Sequence, residues 1–398
     1  MLITERIKKF NEGRLPEMLQ LKYQNMAESL YCFYRGTCQL FYEDLAKIAD
    51  FPASPRSWIC GDLHLENFGS FKSDNRLVYF DLNDFDEAIL APAAWEIVRL
   101  VSSIFVAFDS LGIESEKSAK MAALFLKSYA ATLTGGKPNY IEPKTAAGIV
   151  KELLDDAKDQ KSKDILLKRT LKKSGALKIT LDHPKHMKLN KAIRKELCAH
   201  MENWLHNDDN SPYNYKILDA AFRIAGTGSL GLKRYLFLLK SLNDEGEKYM
   251  LIDMKQAVSS SLEHYCNIEQ PVWECNAVRI KQIQERMQNR PPALLSTTEF
   301  KGDHYIVQEM QPEKDHINFN SLKDRYRDMC GVIHDMGMLT ASAQLRSSGR
   351  QGSAIADELI EFGKNPDWIN PIIYYAKQYA AIMKKDFNNF NIDKKNHH

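Results

Sequence analysis

The chain has 398 residues, of which 27% are charged and 44% hydrophobic, and its net charge is only +2. The length allows two or three domains, the composition is typical of a globular protein, and the small net charge gives no reason to expect a nucleic-acid partner. No apolar run reaches the roughly 18 residues of a membrane helix, and the N-terminus MLITERIKKF lacks the apolar region of a secretory signal. The seven cysteines include no CxxC pair, so neither a zinc site nor a disulfide framework is indicated. We therefore expect a cytoplasmic protein with no membrane partner.

The first half of the chain alternates helical and strand-like patterns. Residues 17–49 have apolar side chains at helical spacing, with an interruption at Arg35-Gly36. A strand pair around a Ser-Asp-Asn turn is predicted next, and two helices follow it. The expected bounds are 67–71 and 76–80 for the strands and 92–111 and 116–133 for the helices. Residues 151–196 are rich in lysine and arginine, which indicates a solvated helical face or, alternatively, a weak site for an anionic substrate.

The second half has the pattern of a small β-rich unit followed by helices. Strands are predicted over 236–239, 249–254 and 305–308, with a polar turn at 243–247 and a hairpin turn at 301–303. Helices are predicted over 273–288, 322–346 and 368–386. The predicted domains are therefore a helical large lobe (1–212), a β-rich lobe (213–312) and C-terminal helices that complete the large lobe (313–398).

The most informative motif is CGDLHLENFG, residues 60–69. A Gly-Asp pair followed five residues later by Asn is typical of kinase-type phosphoryl transfer, in which the Asp orients the attacking hydroxyl and the Asn binds Mg²⁺. Asp62 is therefore predicted to be a catalytic residue and Asn67 a metal ligand. His64 is either a metal ligand, a positioning residue or a loop histidine bonded to the backbone.

The second metal carboxylate is expected in LVYFDLNDFDEA, residues 77–88. Mg²⁺ prefers oxygen ligands and usually takes one or two from protein carboxylates. Asp81 ends the apolar strand and Asp84 begins the DFDEA block, so both are candidates, with Asp81 preferred. Asp86 and Glu87 are expected to support the metal site or to bind substrate. The alternative is that these acids cap turns, although neighbouring acids repel one another unless a cation is present.

A Gly-rich stretch, GTGSLG, occupies residues 226–231. The pattern alone is weak, because a dinucleotide-binding fold requires a helix directly after the glycines and an acid further on. Here a strand follows, and Lys255 comes at the end of the next strand, which is the order found in protein kinases. Glycines allow backbone amides to approach phosphate oxygens. The predicted nucleotide contacts are Gly226, Thr227, Gly228, Ser229, Gly231 and Lys255, and Lys255 is also predicted to be catalytic. An ordinary hairpin with a surface lysine is the alternative.

Two further expectations concern the nucleotide site. Lys255 should pair with an acid on the helix that follows; Glu285 and Glu274 are candidates, and Gln282 stands where such an acid would be expected. The segment VQEMQ, residues 307–311, should form a hinge. Its backbone groups at Glu309 and Met310 would be free to bind adenine.

These motifs together resemble those of a bacterial family of unknown function. Further blocks that carry the resemblance are MAESLYCFYRG, APAAWEIVRL, IDMKQAVSS and LRSSG, at residues 26–36, 91–100, 252–260 and 345–349. The family is kinase-like in its motifs and is similar, more distantly, to aminoglycoside phosphotransferases and protein kinases. Cys60 and Gln344 stand where the phosphotransferase pattern has histidine.

The resemblance implies a two-lobed α+β fold like that of protein kinases, in which the chain order is changed. The catalytic loop near residue 61 precedes the Gly-rich loop near residue 226, whereas kinases have the opposite order. We therefore expect a circular permutation, which is tolerated because chain termini often lie close together.

The predicted function is that of a phosphotransferase that uses ATP and Mg²⁺, with an unknown small-molecule or protein acceptor. A nucleotide-binding pseudokinase that acts as a scaffold and a nucleotidyl transferase are the alternatives. A metallophosphoesterase is less favoured, because the GDLH sequence is not accompanied by the further histidine ligands that a two-metal site requires.

Overall fold

The computed structural model describes residues 2–159, 162–173, 175–212, 214–243, 248–311 and 316–396. Residues 213 and 312, where domain boundaries are predicted, and residues 244–247 of the predicted polar turn lie outside these ranges. The described chain is a mixture of helices and antiparallel strands, which agrees with the predicted α+β class.

The helices are concentrated towards both ends of the chain. They are α1 (Ile3–Phe10), α2 (Pro16–Glu28), α3 (Leu30–Gly36), α4 (Cys38–Leu45), α5 (Ala93–Ser110), α6 (Ser115–Gly135), α7 (Gly148–Asp159), α8 (Ser162–Arg169), α9 (Lys191–Asn207), α10 (Asn276–Met287), α11 (Tyr326–Arg346), α12 (Ala356–Lys364) and α13 (Ile369–Asn396). The strands are β1 (Arg56–Ile59), β2 (Phe68–Lys72), β3 (Val78–Leu82), β4 (Ile89–Pro92), β5 (Thr170–Lys173), β6 (Ala176–Ile179), β7 (His186–Met187), β8 (Tyr215–Arg223), β9 (Arg234–Ser241), β10 (Tyr249–Gln256), β11 (Ser296–Phe300) and β12 (Asp303–Glu309).

The largest sheet of the described residues has six strands in the order β11-β12-β10-β9-β8-β7. Because side chains alternate across a strand, each face of this sheet has its own character. One face packs against α9, where Leu197 and Trp204 meet Phe237 and Ile252. The opposite face is apolar at one end and polar at the other.

The polar end of this second face lies against the DFDEA sequence, residues 84–88. Residues Asp253 and Lys255 of β10 lie on the same face as Arg234, because Lys255 pairs with Arg234 in the ladder. Asp253 accepts hydrogen bonds from Arg234 at 2.6–2.9 Å and from Arg223 at 2.6 Å. Burial alone would raise the pKa of Asp253, but the two guanidinium groups lower it overall. This buried network fixes the strand next to Lys255.

The helical core is built around α5, whose residues are buried along almost its whole length. Helices α3, α6 and α13 pack against it, and α6 in turn packs against α11 and α12. The first and last thirds of the chain therefore share one hydrophobic core, to which α10 and Ile306 of the predicted β-rich lobe also contribute.

Several predicted elements are confirmed and two are corrected. The strand pair β2–β3, the helices α5 and α6 and the hairpin β11–β12 lie where the sequence predicts them. The helical region 17–49 is divided into three helices, since the Ser29 side chain caps α3 and Thr37 separates α3 from α4. The basic segment 151–196 is not helical throughout, because it contains the hairpin β5–β6 and the short strand β7. In the described part of the chain, no helix has a stretch both long and apolar enough to cross a bilayer.

Candidate active site

The predicted catalytic loop, residues 60–69, begins with a sharp turn at Gly61. Its φ of +86° lies in the left-handed region, and a Cβ atom at this position would overlap the backbone carbonyl of Glu87. Glycine is required here by both conformation and space. The close approach brings the Asp62 loop against the DFDEA loop.

We expect Gly61→Ala to lower the free energy of unfolding by about 3 kcal/mol, since it adds both backbone strain and a steric overlap. The matched control is Gly135→Ala at the end of α6, where a Cβ meets nothing within 4 Å. That change should be neutral or stabilising by up to about 1 kcal/mol. Chemical denaturation of both variants checks the prediction, and equal stability would contradict it.

The loop is held from behind by Glu96, a fully buried residue of α5. Its carboxylate accepts a hydrogen bond of 2.6 Å from the Cys60 amide and one of 3.1 Å from the Gln344 side chain. Burial raises the pKa of Glu96, and the hydrogen bonds from Cys60 and Gln344 oppose that rise. Cys60 and Gln344 are the two positions at which histidine is expected. Both donate a hydrogen bond to Glu96, and these bonds hold the loop against the protein interior.

Asp62 lies at the surface of the cleft but is anchored to a buried cation. Its Oδ1 accepts hydrogen bonds from Arg99 Nε at 3.0 Å and Nη2 at 2.8 Å, and its side chain remains 19% exposed. Arg99 is fully buried and stacks 3.6 Å from the centre of the Tyr34 ring. Burial raises the pKa of Asp62, Arg99 opposes the rise, and the charge of Asp84 adds to it. One carboxylate oxygen is thus fixed by Arg99, while the group keeps access to the cleft.

Asn67 is oriented by its own loop. Its side-chain nitrogen donates a hydrogen bond to the Asp62 carbonyl, and its backbone carbonyl accepts one of 2.9 Å from Asn83. The first contact turns the nitrogen towards the loop, so the side-chain oxygen is the atom that can face a cation. The second ties the Asp62 loop to the start of the DFDEA loop.

The structure separates the two candidate metal carboxylates. Asp84 lines the same cavity as Asp62 and Asn67, and its side chain is 45% exposed. Asp81 is buried and lines none of the cavities described below; it accepts a hydrogen bond of 3.2 Å from Arg346. Asp84 therefore lies with the other candidate site residues, whereas Asp81, the preferred candidate, is bonded to Arg346 of α11.

Lys255 meets the DFDEA loop from the sheet. Its ammonium forms an ion pair with Asp86 and lies 3.8 Å from Asp84. Burial lowers the pKa of Lys255, but Asp84 and Asp86 outweigh burial and raise it overall. Conversely, burial and Asp84 raise the pKa of Asp86. The charge on Lys255 is thus maintained where two carboxylates converge.

The expected acid on the following helix is not the partner of Lys255. Glu285 of α10 pairs with Lys281 at 2.8 Å, and Glu274 precedes that helix. The α10 residues that share a cavity with Lys255 are Ile280 and Gln284, neither of which is an acid. The partner acids come from the DFDEA loop instead.

The Gly-rich loop lies over this site. Gly226, Thr227, Gly228 and Ser229 line the cavity that contains Asp62, which we call the Asp62 cavity. Gly231 lines a second cavity together with Lys255. A third, the Lys255 cavity, contains Lys255 with Asp84, Asp86, Gln308 and Gln311. Asp84 and Asp86 are common to the first and third cavities, so the predicted catalytic, metal and Gly-rich-loop residues converge on one region, except for Asp81.

The predicted hinge does not have the expected free backbone groups. The amide of Glu309 donates to the Ala293 carbonyl at 2.9 Å, and the amide of Met310 donates to the Leu251 carbonyl at 2.9 Å. The Glu309 side chain pairs with Arg76, and Met310 packs in the apolar end of the sheet. The expectation of free amides at these two residues is wrong, because β12 is an inner strand with partners on both sides.

Two other residues of the catalytic segment have specific local roles. His64 is buried, and its Nδ1 accepts a hydrogen bond of 3.2 Å from the Glu66 amide. Burial lowers its pKa well below the usual range, so it is a neutral loop histidine. Glu87 accepts hydrogen bonds from the Ser261 amide at 2.6 Å and the Ser260 hydroxyl at 3.1 Å. It therefore joins the DFDEA loop to the segment that follows β10.

Within the described residues, no group of three or more His, Cys, Asp and Glu side chains is arranged to hold a metal ion. Asn67 and Asp84, which carry an amide and a carboxylate oxygen, line the same cavity as Asp62, Asp86 and Glu87. Oxygen donors of this kind fit Mg²⁺. In proteins this ion usually keeps several bound waters and takes further oxygen ligands from the phosphates of the substrate.

A family described as uncharacterized protein conserved in bacteria (DUF2252) matches residues 14–393. The chain belongs to this family. No curated protein and no solved structure matches it. The region matched by DUF2252 begins at Arg14 and contains every site residue named above.

The DUF2252 region also contains site residues that sequence reasoning missed. Arg14, between α1 and α2, and Lys22 of α2 donate hydrogen bonds to carbonyls of the Gly-rich loop and line the Asp62 cavity. Gln39 lines the same cavity from α4. The signal for Lys22 is present in the sequence, because it occupies an inward position of α2 between Met18 and Met26. A lysine on the apolar side of a helix predicts a buried charge.

Proposed function

We propose that this DUF2252 protein is a phosphotransferase that moves the γ-phosphoryl group of ATP to a hydroxyl acceptor. The observation that carries the proposal is the meeting of Lys255 with Asp84 and Asp86 in a region that Asp62, Asn67 and the Gly-rich loop also line. These are the residue types that kinase-type transfer requires, namely a phosphate-binding lysine, a hydroxyl-orienting carboxylate and oxygen ligands for a metal.

In this proposal the nucleotide lies against the polar end of the sheet. Lys255 binds its phosphates, and the Gly-rich loop covers them. Gln308 and Gln284 line the Lys255 cavity and offer side-chain amides to the base, the role that the sequence predicts for the Glu309 and Met310 backbone. The phosphates would approach Lys255 on the side where it now meets Asp86.

Asn67 and Asp84 would hold Mg²⁺ in the complex. When bound, Mg²⁺ neutralises charge on the phosphate oxygens. Asn67 suits this role because its nitrogen is fixed on the Asp62 carbonyl, and Asp84 suits it because its side chain is exposed to the cleft.

Asp62 would act on the acceptor. The acceptor oxygen forms a bond to the γ-phosphorus while the bond from that phosphorus to the β,γ-bridging oxygen breaks, and ADP leaves. The hydroxyl proton passes to Asp62 and then to solvent. Arg99 holds Asp62 in one orientation, and burial raises its pKa, which makes it a better proton acceptor than an exposed aspartate.

We further propose that the six-stranded sheet with α9 and α10 corresponds to the nucleotide lobe of a kinase-like fold. The shared core of the first and last thirds of the chain supports a large lobe assembled from both ends. A chain in which the catalytic segment precedes this sheet is a circular permutation of the kinase order.

The test of the function is the fate of labelled ATP. The protein is incubated with ATP labelled at the γ- or the α-phosphate, Mg²⁺ and a cell extract from which macromolecules have been removed. Transfer of γ-label, with ADP formed in equal amount, is the expected result. Transfer of α-label would identify a nucleotidyl transferase, and ATP binding without any transfer would identify a scaffold. Absence of ATP binding would overturn the proposal.

The Mg²⁺ requirement distinguishes the roles proposed for Asp84 and Asp81. Asp84→Asn should raise the Mg²⁺ concentration for half-maximal activity by at least about tenfold. Mutation of residues that only hydrogen-bond to metal ligands already lowers metal affinity by about that factor. Asp81→Asn should leave the Mg²⁺ requirement unchanged and lower thermal stability, because Arg346 loses its charged partner. Activity measured over a Mg²⁺ titration checks both variants, and the reverse pattern would restore Asp81 as the ligand.

A further inference from the structure

Two cations of the Asp62 cavity are paired only with neutral atoms. Lys22 is fully buried, and its ammonium donates to Asn11 Oδ1 at 2.9 Å and to the Gly228 carbonyl at 3.0 Å. Arg14 donates to the carbonyls of Gly228 at 2.7 Å and Leu230 at 3.0 Å. Neither forms a salt bridge with a carboxylate in the described ranges of the chain. A buried charge of this kind is costly unless an opposite charge compensates it.

A third group in the same cavity lacks a partner altogether. The side chain of Gln39 is only 2% exposed, and neither its nitrogen nor its oxygen has a hydrogen-bond partner among the described residues. An amide group can donate two hydrogen bonds and accept two, so leaving it unbonded in the interior is unfavourable. Gln39 lines the cavity into which Asp62 also faces.

The carboxylates of the cavity are already supplied with donors. Asp62 is bonded to Arg99, Glu87 to Ser260 and Ser261, and Asp86 to Lys255. The cations Arg14 and Lys22 bond to no carboxylate directly, although the charges of Glu87, Asp86 and Asp62 act on them from a distance. Burial and the neighbouring Arg14 lower the pKa of Lys22 by more than Glu87 and Asp62 raise it, so an anion placed between Arg14 and Lys22 would stabilise both charged forms.

We propose that Arg14, Lys22 and Gln39 form the acceptor subsite, and that the acceptor is a small hydroxyl compound that already carries a phosphate group. Two cations match the double negative charge of a phosphate. Gln39 binds a polar group of the same molecule, and its hydroxyl reaches Asp62. This inference rests on the proposed function and adds to it the chemical class of the acceptor.

The first test is a calorimetric titration with inorganic phosphate, which requires no ATP. We expect one phosphate per chain and a Kd that rises at least about tenfold in Lys22→Met. Lys9→Met, an exposed position of α1, is the matched control and should bind as the wild type does. Absence of phosphate binding, or a Kd in Lys22→Met equal to that of the wild type, would overturn the inference.

A second variant separates a binding role from a structural one. Gln39→Leu has a similar shape and removes two unbonded polar atoms, so it should melt at the same temperature as the wild type or higher. It should nevertheless lower kcat/KM for the acceptor at least about tenfold while KM for ATP is unchanged. A destabilised Gln39→Leu with normal acceptor kinetics would show that Gln39 only supports the fold.

The acceptor class is tested with matched pairs of polyols and sugars that differ by one phosphate group, together with cationic amino sugars. Faster transfer to the phosphorylated member of each pair is expected. Faster transfer to neutral or cationic members would overturn the inference while leaving the phosphotransferase proposal intact.

The Lys22→Met variant separates the acceptor site from the nucleotide site. If it weakens Mg·ATP binding and leaves acceptor kinetics unchanged, Arg14 and Lys22 bind ATP and the acceptor assignment is wrong. If Mg·ATP does not bind but phosphate binding depends on Lys22, the proposed function is wrong, whereas the anion site at Arg14, Lys22 and Gln39 is supported.

Discussion

Asp62→Asn should lower kcat by about 10³-fold, within the range of 10²–10⁴ that a positioned base contributes. The side-chain amide can still accept a hydrogen bond from Arg99, but it cannot take the proton of the acceptor hydroxyl. The affinity for Mg·ATP should stay within about threefold of wild type, because Asp62 is assigned to the acceptor and not to the nucleotide. Initial rates and an ATP titration on the same preparation measure both quantities.

The control for this variant must account for stability. Asp62→Asn removes the charged partner of Arg99, which is fully buried, so the variant should lose up to about 3 kcal/mol of unfolding free energy. Rates are therefore compared at a temperature at which both proteins are folded, as judged by circular dichroism. Asp50→Asn, at an exposed position, should change neither rate nor stability. A folded Asp62→Asn protein with wild-type turnover would contradict the assigned role.

Lys255→Met should weaken Mg·ATP binding by about 10- to 100-fold, the value expected for the loss of charge-assisted hydrogen bonds to phosphate. The methionine retains most of the apolar volume of the lysine, so the sheet should remain intact. The same change leaves Asp84 and Asp86 without their cation. Their mutual repulsion adds to the loss, because phosphates bring further negative charge into the site.

The matched control for Lys255→Met is Lys216→Met. Lys216 belongs to β8 of the same sheet but is exposed. Calorimetry should give wild-type affinity for the control and weak binding for Lys255→Met. Equal affinities in the two variants would exclude Lys255 from the nucleotide site.

The sequence predicts the parts of the site that depend on local spacing. Asp62 and Asn67 share one short loop, and the Gly-rich loop is followed by two strands, the second of which contains Lys255, so order along the chain is sufficient to select them as candidates. The same is true of β2–β3 and β11–β12, whose turns lie directly between alternating apolar strands.

What the sequence does not predict depends on distant partners. The contact that Asp81 makes inside the protein is with Arg346, which lies 265 positions away along the chain. The backbone of Glu309 and Met310 is occupied because β12 has neighbours on both sides, a property of strand order rather than of the strand itself. The supporting role of Glu96 likewise requires α5 to lie behind the Cys60 loop. The hydrophobic periodicity of a sequence predicts local helices and strands, and it does not show which distant segments are in contact.

The most direct test of the central claim is a crystal structure with Mg²⁺ and a non-hydrolysable ATP analogue. Our account predicts phosphates beside the Lys255 ammonium and beneath the Gly-rich loop, with the metal bound by Asn67 and Asp84 and the γ-phosphate directed towards Asp62. The central claim would be contradicted by a nucleotide bound on another surface of the protein while the Lys255 ammonium still pairs with Asp86.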